Sequence, residues 1–303
     1  MILVTGATGR VGYRLLEKLA DAGAADAAAA AMVRVEARVA DLPGSPECVV
    51  ASLDEPPPAE TLQAFDRVFL LSPALEEQAE LEIVFIDALV AAGHRPHVVK
   101  VAADGFADPG CEIRFVRSHR EVAAHLNAVD LPVTYLAPAP YLENLLASAE
   151  DIRTSGTLRL PAGHGRVALV GVTDVAAAAA AVLTGTGVAG TGHEGQTYTL
   201  TGPELVNFTQ VAKRISEVFA RQVSYSSETA GKAREALLAR GLDRWTADGV
   251  LELYEWIREG GAAAATPTVR ELTGADPQSV QDWLEENRAG FLDPEAEQAQ
   301  PAF

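Results

Sequence analysis

The sequence predicts an α/β fold, a doubly wound parallel sheet followed by a smaller mixed α/β cap. Three observations carry that expectation. The first 23 residues read as strand, glycine turn and helix. Short apolar runs then alternate with helical stretches as far as Pro140, the rhythm of right-handed crossovers between parallel strands. Beyond Pro140 the rhythm breaks into short β pieces and clustered helices. The expected division is 1–140 for the sheet domain and 141–292 for the cap, with a strand or two returning to the main sheet. A flexible tail is expected over 293–303.

Ile2, Leu3 and Val4 form an apolar run suited to a strand buried on both faces. Gly6, Gly9 and Gly12 follow, and Val11, Leu15, Leu16 and Leu19 then recur at helical spacing up to Gly23. Strand, glycine turn and helix in that order make a dinucleotide-binding (Rossmann) unit. Gly6 allows the tight turn, Gly9 lets backbone approach a pyrophosphate, and Gly12 lets the helix pack close to the sheet. The helix N-terminus directs partial positive charge and free N–H groups at the phosphates. Gly6, Thr8, Gly9, Arg10, Val11 and Gly12 are therefore the expected cofactor contacts. A sharp turn without a ligand is the alternative.

Later elements follow in order. Met32–Val35 reads as the second strand after an alanine-rich run, and Val49–Val50 as the third. Pro56–Pro58 start a helix over 59–65. Residues 67–71 form the fourth strand, 75–92 a long helix, 97–102 the fifth strand, 117–129 a helix and 133–136 the sixth strand. In the second half, 158–170 holds short β pieces, and Thr173-Asp174 cap a helix running through Ala176–Ala181. A strand at 196–200 precedes the helix 208–220, capped by Asn207. A short strand at 223–225 and helices near 228–240, 244–259 and 277–289 complete the cap.

The chain has 303 residues, 48% of them hydrophobic, and a formal net charge of −18. That surface repels nucleic acid and anionic membranes. Cys48 and Cys111 are the two cysteines, which make neither a disulfide framework nor a metal set. With no charged leader segment and no apolar run of membrane-spanning length, a soluble, cytoplasmic protein without a metal is expected. The oligomeric state is open.

Arg34 lies 22 residues after Gly12, near the end of the second strand. NAD-binding units place an acid there for the ribose 2′-hydroxyl, whereas an arginine suits a 2′-phosphate. NADP is thus expected over NAD. Two alternatives stay open: a solvated arginine, and Glu36 serving the ribose hydroxyl. None of Tyr13, Tyr135, Tyr141, Tyr198, Tyr225 and Tyr254 has a lysine four residues on, and Ala102-Ala103 follow the fifth strand. The serine and Tyr-x-x-x-Lys relay of ordinary short-chain dehydrogenases is therefore absent. A ketone reductase needs that relay to protonate an alkoxide. A quinone, iminium, enone or carbocationic dye accepts hydride without it.

The segments TGATGRVG, VKVAADGF with the helix opening RSHRE, LPVTYLAPAPYLEN, and GVTDVAAAAAAVL with GQTYTLTGPE together resemble the NmrA-like atypical short-chain dehydrogenase/reductases. Within that group the chain is similar to triphenylmethane reductases and type 2 quinone oxidoreductases. The resemblance implies an NAD(P)H-dependent oxidoreductase acting on a small conjugated or aromatic electrophile. It places ribose and nicotinamide contacts at Leu71, Ser72, Pro73, Ala102 and Ala103, and substrate contacts at Tyr141, Leu142 and Asn144. Tyr141 can stack on a planar substrate or simply pack. His119 stands where related reductases carry a catalytic lysine or histidine, which makes it the expected proton donor; a locally bonded helix-face histidine is the alternative. The same family holds non-catalytic dinucleotide-binding redox sensors that act through a protein partner, and loss of the relay fits those too.

Overall fold

The computed structural model describes residues 1–23, 28–185 and 192–293. The first half runs β1 (Ile2–Val4), α1 (Arg10–Ala22), β2 (Ala29–Val33), β3 (Glu47–Val50), α2 (Ala59–Leu62), β4 (Arg67–Leu70), α3 (Gln78–Ala91), β5 (His97–Val101), α4 (Arg114–Ala128) and β6 (Val133–Pro138). A 3-10 turn over Leu142–Ser148 leads into α5 (Ala149–Ser155), β7 (Thr157–Leu160), β8 (Arg166–Val167), α6 (Val172–Thr184) and β9 (Thr197–Leu200). Next come β10 (Val206–Asn207), α7 (Phe208–Phe219), β11 (Ser224–Ser227), α8 (Ala230–Ala239), α9 (Arg244–Arg258), α10 (Thr268–Thr273), α11 (Val280–Glu286) and α12 (Arg288–Leu292).

Seven strands make one parallel sheet in the order β3-β2-β1-β4-β5-β6-β9, so the doubly wound fold is as expected. Every carboxyl end in that sheet points the same way, toward the cap. The cap contributes two small sheets, β10-β8 and β11-β7. Helix α1 buries Val11, Leu15, Leu16 and Leu19 and ends on Gly23 at φ 59°, the left-handed stop that glycine supplies.

Several elements differ from their expected bounds. Strand β2 begins at Ala29 and ends at Val33, because pairing with β1 and β3 on either side outweighs alanine's low strand propensity. Helix α3 buries Glu82 and Ile86 beside Phe85 and Leu89, and exposes Val84. The cap of α6 is Gly171; Asp174 instead accepts from the Gln278 N–H at 2.9 Å. Asn207 does cap α7, reciprocally with Gln210.

The division at residue 140 does not separate the cores. Val172, Val175, Ala176, Ala178, Ala179 and Val182 of α6 pack in one core with α1, β1 and β9, together with Val269 and Leu272 of α10. The alanines let α6 lie close against α1. A second core fills the α2–α4 face. The third, around Phe208, Trp283 and Phe291, belongs to the cap. The tail expected from 293 lies, beyond Asp293, outside the described residues, as does part of the alanine run before β2.

Candidate active site

The glycine turn after β1 shows which of its glycines the fold itself requires. Gly6 has φ +60°, and a Cβ there would lie 2.8 Å from the Leu71 carbonyl oxygen. A Cβ on Gly12 would lie 2.2 Å from the Gly6 oxygen, so α1 can start there only without a side chain. Gly9 is different. Its φ of −81° and ψ of 169° suit any residue, and a Cβ would meet only Gly6 O, at 3.2 Å. Neither strain nor severe crowding demands glycine at this position. Gly9 is the N-cap of α1, with no side-chain cap and no acid in the first turn. An uncapped helix N-terminus under a glycine that leaves its approach clear fits a dinucleotide pyrophosphate.

The other residues of the turn sort by burial. Thr8 is exposed. Val11 has its side chain in the core, which leaves only its amide for a phosphate. Arg10 is half-buried; burial lowers its pKa, and the nearby Glu143 carboxylate opposes that shift. Glu143, a residue of the Tyr141 loop, is buried and accepts from Val172 N–H and from Trp283 Nε1 at 3.0 Å. It thereby ties the first turn of α6 to α11, beside the glycine turn. Arg34 follows the last residue of β2 and is exposed. Its field, together with the stronger effect of the Ser52 hydroxyl, holds Asp54 below its ordinary value.

Ser72 and His119 belong to a buried network that includes residues with no assigned role in the sequence. Ser72 Oγ donates to Glu82 Oε1 at 2.6 Å. Lys100 of β5 sits 3.0 Å from Glu82 Oε2 and also donates to the Val101 carbonyl, and neither of the paired side chains has any exposed area. His119 Nδ1 is 3.2 Å from Lys100 Nζ and 3.5 Å from Gln78 Nε2. An ammonium is only a donor, so Nδ1 accepts and the ring proton is assigned to Nε2. Burial first, and Lys100 second, push His119 well below its ordinary pKa. The expected proton donor is thus a buried ring whose charged form is disfavoured. At neutral pH His119 is a neutral, buried ring and a poor proton source. The overlooked signal was Lys100 itself, a charge inside the apolar run HVVKVA, which requires a partner in a doubly covered strand.

At the strand ends, Leu71 is fixed by Thr5, whose hydroxyl donates to Leu71 O and accepts from Leu71 N–H, each at 2.9 Å. Pro73 follows, exposed. Ala102 is buried and Ala103 half-buried at the end of β5. Tyr141 and Asn144 line a narrow cleft with Pro140, Phe208, Leu253 and Tyr254. Burial drives the phenols of Tyr141 and Tyr254 far up, so both stay protonated. Leu142 is corrected: its side chain is fully buried in the cap core, turned away from that cleft. Helix α9 closes the cleft over the sheet, because Arg114 of α4 grips Glu252 through both carboxylate oxygens.

The parallel order, the glycine turn and the uncapped α1 N-terminus define a dinucleotide-binding protein of the Rossmann class. Residues 6–186 match the NAD(P)H-binding family, and the chain belongs to it, as an NmrA-like atypical short-chain dehydrogenase/reductase. The chain is 34% identical over 298 residues to the (4-alkanoyl-5-oxo-2,5-dihydrofuran-3-yl)methyl phosphate reductase of Streptomyces griseus, covering 96% of this chain and 99% of that one. It is 29% identical over 294 residues to the NAD(P)H azoreductase of Xenophilus azovorans, covering 96% and 99%. Among solved structures, the NADPH-dependent quinone oxidoreductase of Escherichia coli in complex with NADPH superposes with a TM-score of 0.83 at 25% identity, over 94% of this chain and 99% of that one. The triphenylmethane reductase of Citrobacter shares the fold, with a TM-score of 0.79 over 94% and 99% at 23% identity. The chain is an NAD(P)H-dependent oxidoreductase. Among the described residues no helix is long and apolar enough to cross a membrane.

Proposed function

We propose that the protein uses NADPH to reduce a small, planar, electron-poor conjugated molecule of the quinone or enone class. The carrying observation is the cleft. It follows the end of β6 and is lined by Tyr141, Phe208, Leu253 and Tyr254; after β5 the chain has Ala102-Ala103 where an ordinary dehydrogenase has its serine. Such walls bind a flat π-system by area and stacking, and the Tyr-x-x-x-Lys relay that protonates an alkoxide is missing. The full-length reductase relatives act on a dihydrofuranone, an azo compound and a quinone by their names, and all three are electrophiles of this kind.

The chain's own groups have separable tasks in this proposal. The Arg10 and Val11 amides receive the pyrophosphate over Gly9, whose own N–H is donated to Gly6 O, and Arg34 takes the 2′-phosphate, which favours NADPH over NADH. Leu71, held by Thr5, and Ala102-Ala103 border the nicotinamide end. Tyr141 and Asn144 orient the substrate. His119 supports the site from below, through Lys100, Glu82 and Ser72. NADPH, when bound, supplies the hydride.

The test is NADPH oxidation with a quinone, an unsaturated lactone, an azo dye and a simple aliphatic ketone. Turnover of one or more of the first three without the ketone is expected. Comparable rates on the ketone, or no turnover of any, would refute the proposal.

A further inference from the structure

Reduction of a conjugated carbonyl leaves one proton to be accounted for. Hydride addition produces an enolate, which must be protonated. The serine and Tyr-x-x-x-Lys relay is absent, and His119 is a neutral ring in the interior.

Asp104 stands one residue beyond Ala102-Ala103, at the carboxyl end of β5. Its N–H donates to the Pro138 carbonyl at the end of β6, at 2.9 Å. The loop it opens is held by one side chain, because Arg120 of α4 donates to the carbonyls of Gly105, Phe106, Asp108 and Cys111. Both residues flanking Asp104 lie under α9. Ala103 packs in the cluster that holds Trp256, and a Cβ on Gly105 would come within 3.6 Å of the Trp256 ring. Asp104 Oδ1 accepts from the Gly105 N–H at 2.9 Å. Its other oxygen has no hydrogen-bond partner among the described residues and is not among the atoms sealed from solvent. The surrounding groups do not neutralise it: Cys111 is a buried thiol whose pKa is itself pushed up, Arg120 is spent on carbonyls, and Glu252 of α9 is paired with Arg114.

We propose that Asp104 is the proton donor that completes reduction of conjugated carbonyl substrates. The proposal rests on the hydride-transfer function argued above. When hydride adds at the β-carbon, the C=C electron pair moves into the enolate. The Asp104 O–H bond then breaks, its proton forms the new C–H bond at the α-carbon, and its electron pair stays on the carboxylate. Water through the open oxygen restores the acid. Burial supports this role by raising Asp104 to about 6, opposed only by the Gly105 N–H.

Asp104→Asn tests it with an unsaturated lactone and a cationic triphenylmethane dye, which is neutralised by hydride and needs no proton. The variant's kcat on the lactone should fall about 100-fold more than on the dye, the lower end of what a positioned acid contributes. Wild-type kcat/KM on the lactone should decline as pH rises through about 6. Asp104→Asn should lose that limb, and Tyr141→Phe, which removes one of the cleft's phenols, should keep it. A readout without substrate is also available. The folded carboxyl titrates above its unfolded value, so ionisation destabilises the fold at high pH. Asp104→Asn should raise Tm relative to wild type at about pH 8, with the gain vanishing near pH 4. Equal losses on lactone and dye, or an intact limb in Asp104→Asn, would overturn the role of Asp104 and leave hydride transfer standing. No NADPH oxidation by wild type with either acceptor would overturn the underlying function and this proposal with it.

Discussion

Lys100→Met puts the buried network to a quantitative test. Methionine keeps much of the length and shape of lysine without the charge. Lys100 Nζ and Glu82 Oε2 are 3.0 Å apart with no exposed side-chain area on either. Removing the cation leaves a carboxylate in the interior with only Ser72 and Gln78 as donors. Breaking one side of such a pair costs roughly 3–5 kcal/mol. The two remaining donors place the expected loss at the lower end, about 3 kcal/mol near neutral pH. Replacing Glu82 by Met as well removes the stranded charge. The double variant should therefore recover most of the loss, short of about 1 kcal/mol for Ser72 Oγ, which loses its acceptor, whereas His119 Nδ1 keeps Gln78 Nε2 at 3.5 Å. Urea unfolding of wild type, the two single variants and the double variant closes a double-mutant cycle. A coupling below about 1 kcal/mol, the level of a surface ion pair, would refute the claim that this pair is desolvated and mutually dependent. Because Glu82 also holds Ser72 in the loop after β4, Lys100→Met should raise KM for NADPH in the same preparation.

The remaining predictions concern the cofactor site and acid stability. Arg34→Ala should weaken NADPH binding about 10- to 100-fold, since a hydrogen bond to a charged group is worth roughly 1.5–3 kcal/mol, and leave NADH nearly unchanged; equal losses in titration calorimetry would remove the 2′-phosphate assignment. Gly9→Val should fold, because its extended backbone suits a β-branched residue, yet lose cofactor binding. Gly12→Ala, whose Cβ would sit 2.2 Å from Gly6 O, should lower Tm even without cofactor, and the reverse pattern would show that the roles of these glycines are misassigned. His119 has its folded pKa depressed well below 6.5, so on acidification the unfolded chain takes up the proton first. Wild type should then lose about 1.4 kcal/mol per pH unit below 6.5 until the folded pKa is reached. His119→Gln should lack that part of the acid limb, and parallel stability curves for the two proteins between about pH 6.5 and 5 would refute it.

The sequence by itself determined the Rossmann unit and the backbone geometry of its glycine turn. Backbone demands are local: a strand, a turn with φ +60° at Gly6, a close approach at Gly12 and a helix start are all written within Ile2–Gly23. The absence of a Tyr-x-x-x-Lys pair is equally local, and it directs attention to electrophiles that accept hydride without that relay. Capping at Asn207 was legible for the same reason, because the cap and its reciprocal partner are three residues apart.

Only the tertiary structure decided what was charged, buried and in contact. The assignment of α6 and α10 to the first core depends on packing with α1 and β9, which residue spacing in the second half does not encode. The neutral state of His119 depends on burial by the surrounding elements and on Lys100, 19 residues away. The raised pKa of Asp104 depends on desolvation at the end of β5, where the chain passes beneath α9. Leu142 was misread because a strand end and a cap core meet within one loop: Tyr141 and Asn144 face the cleft, while Leu142 faces inward. Ionisation and accessibility are properties of the whole surrounding volume, and neighbours distant in the chain supply that volume.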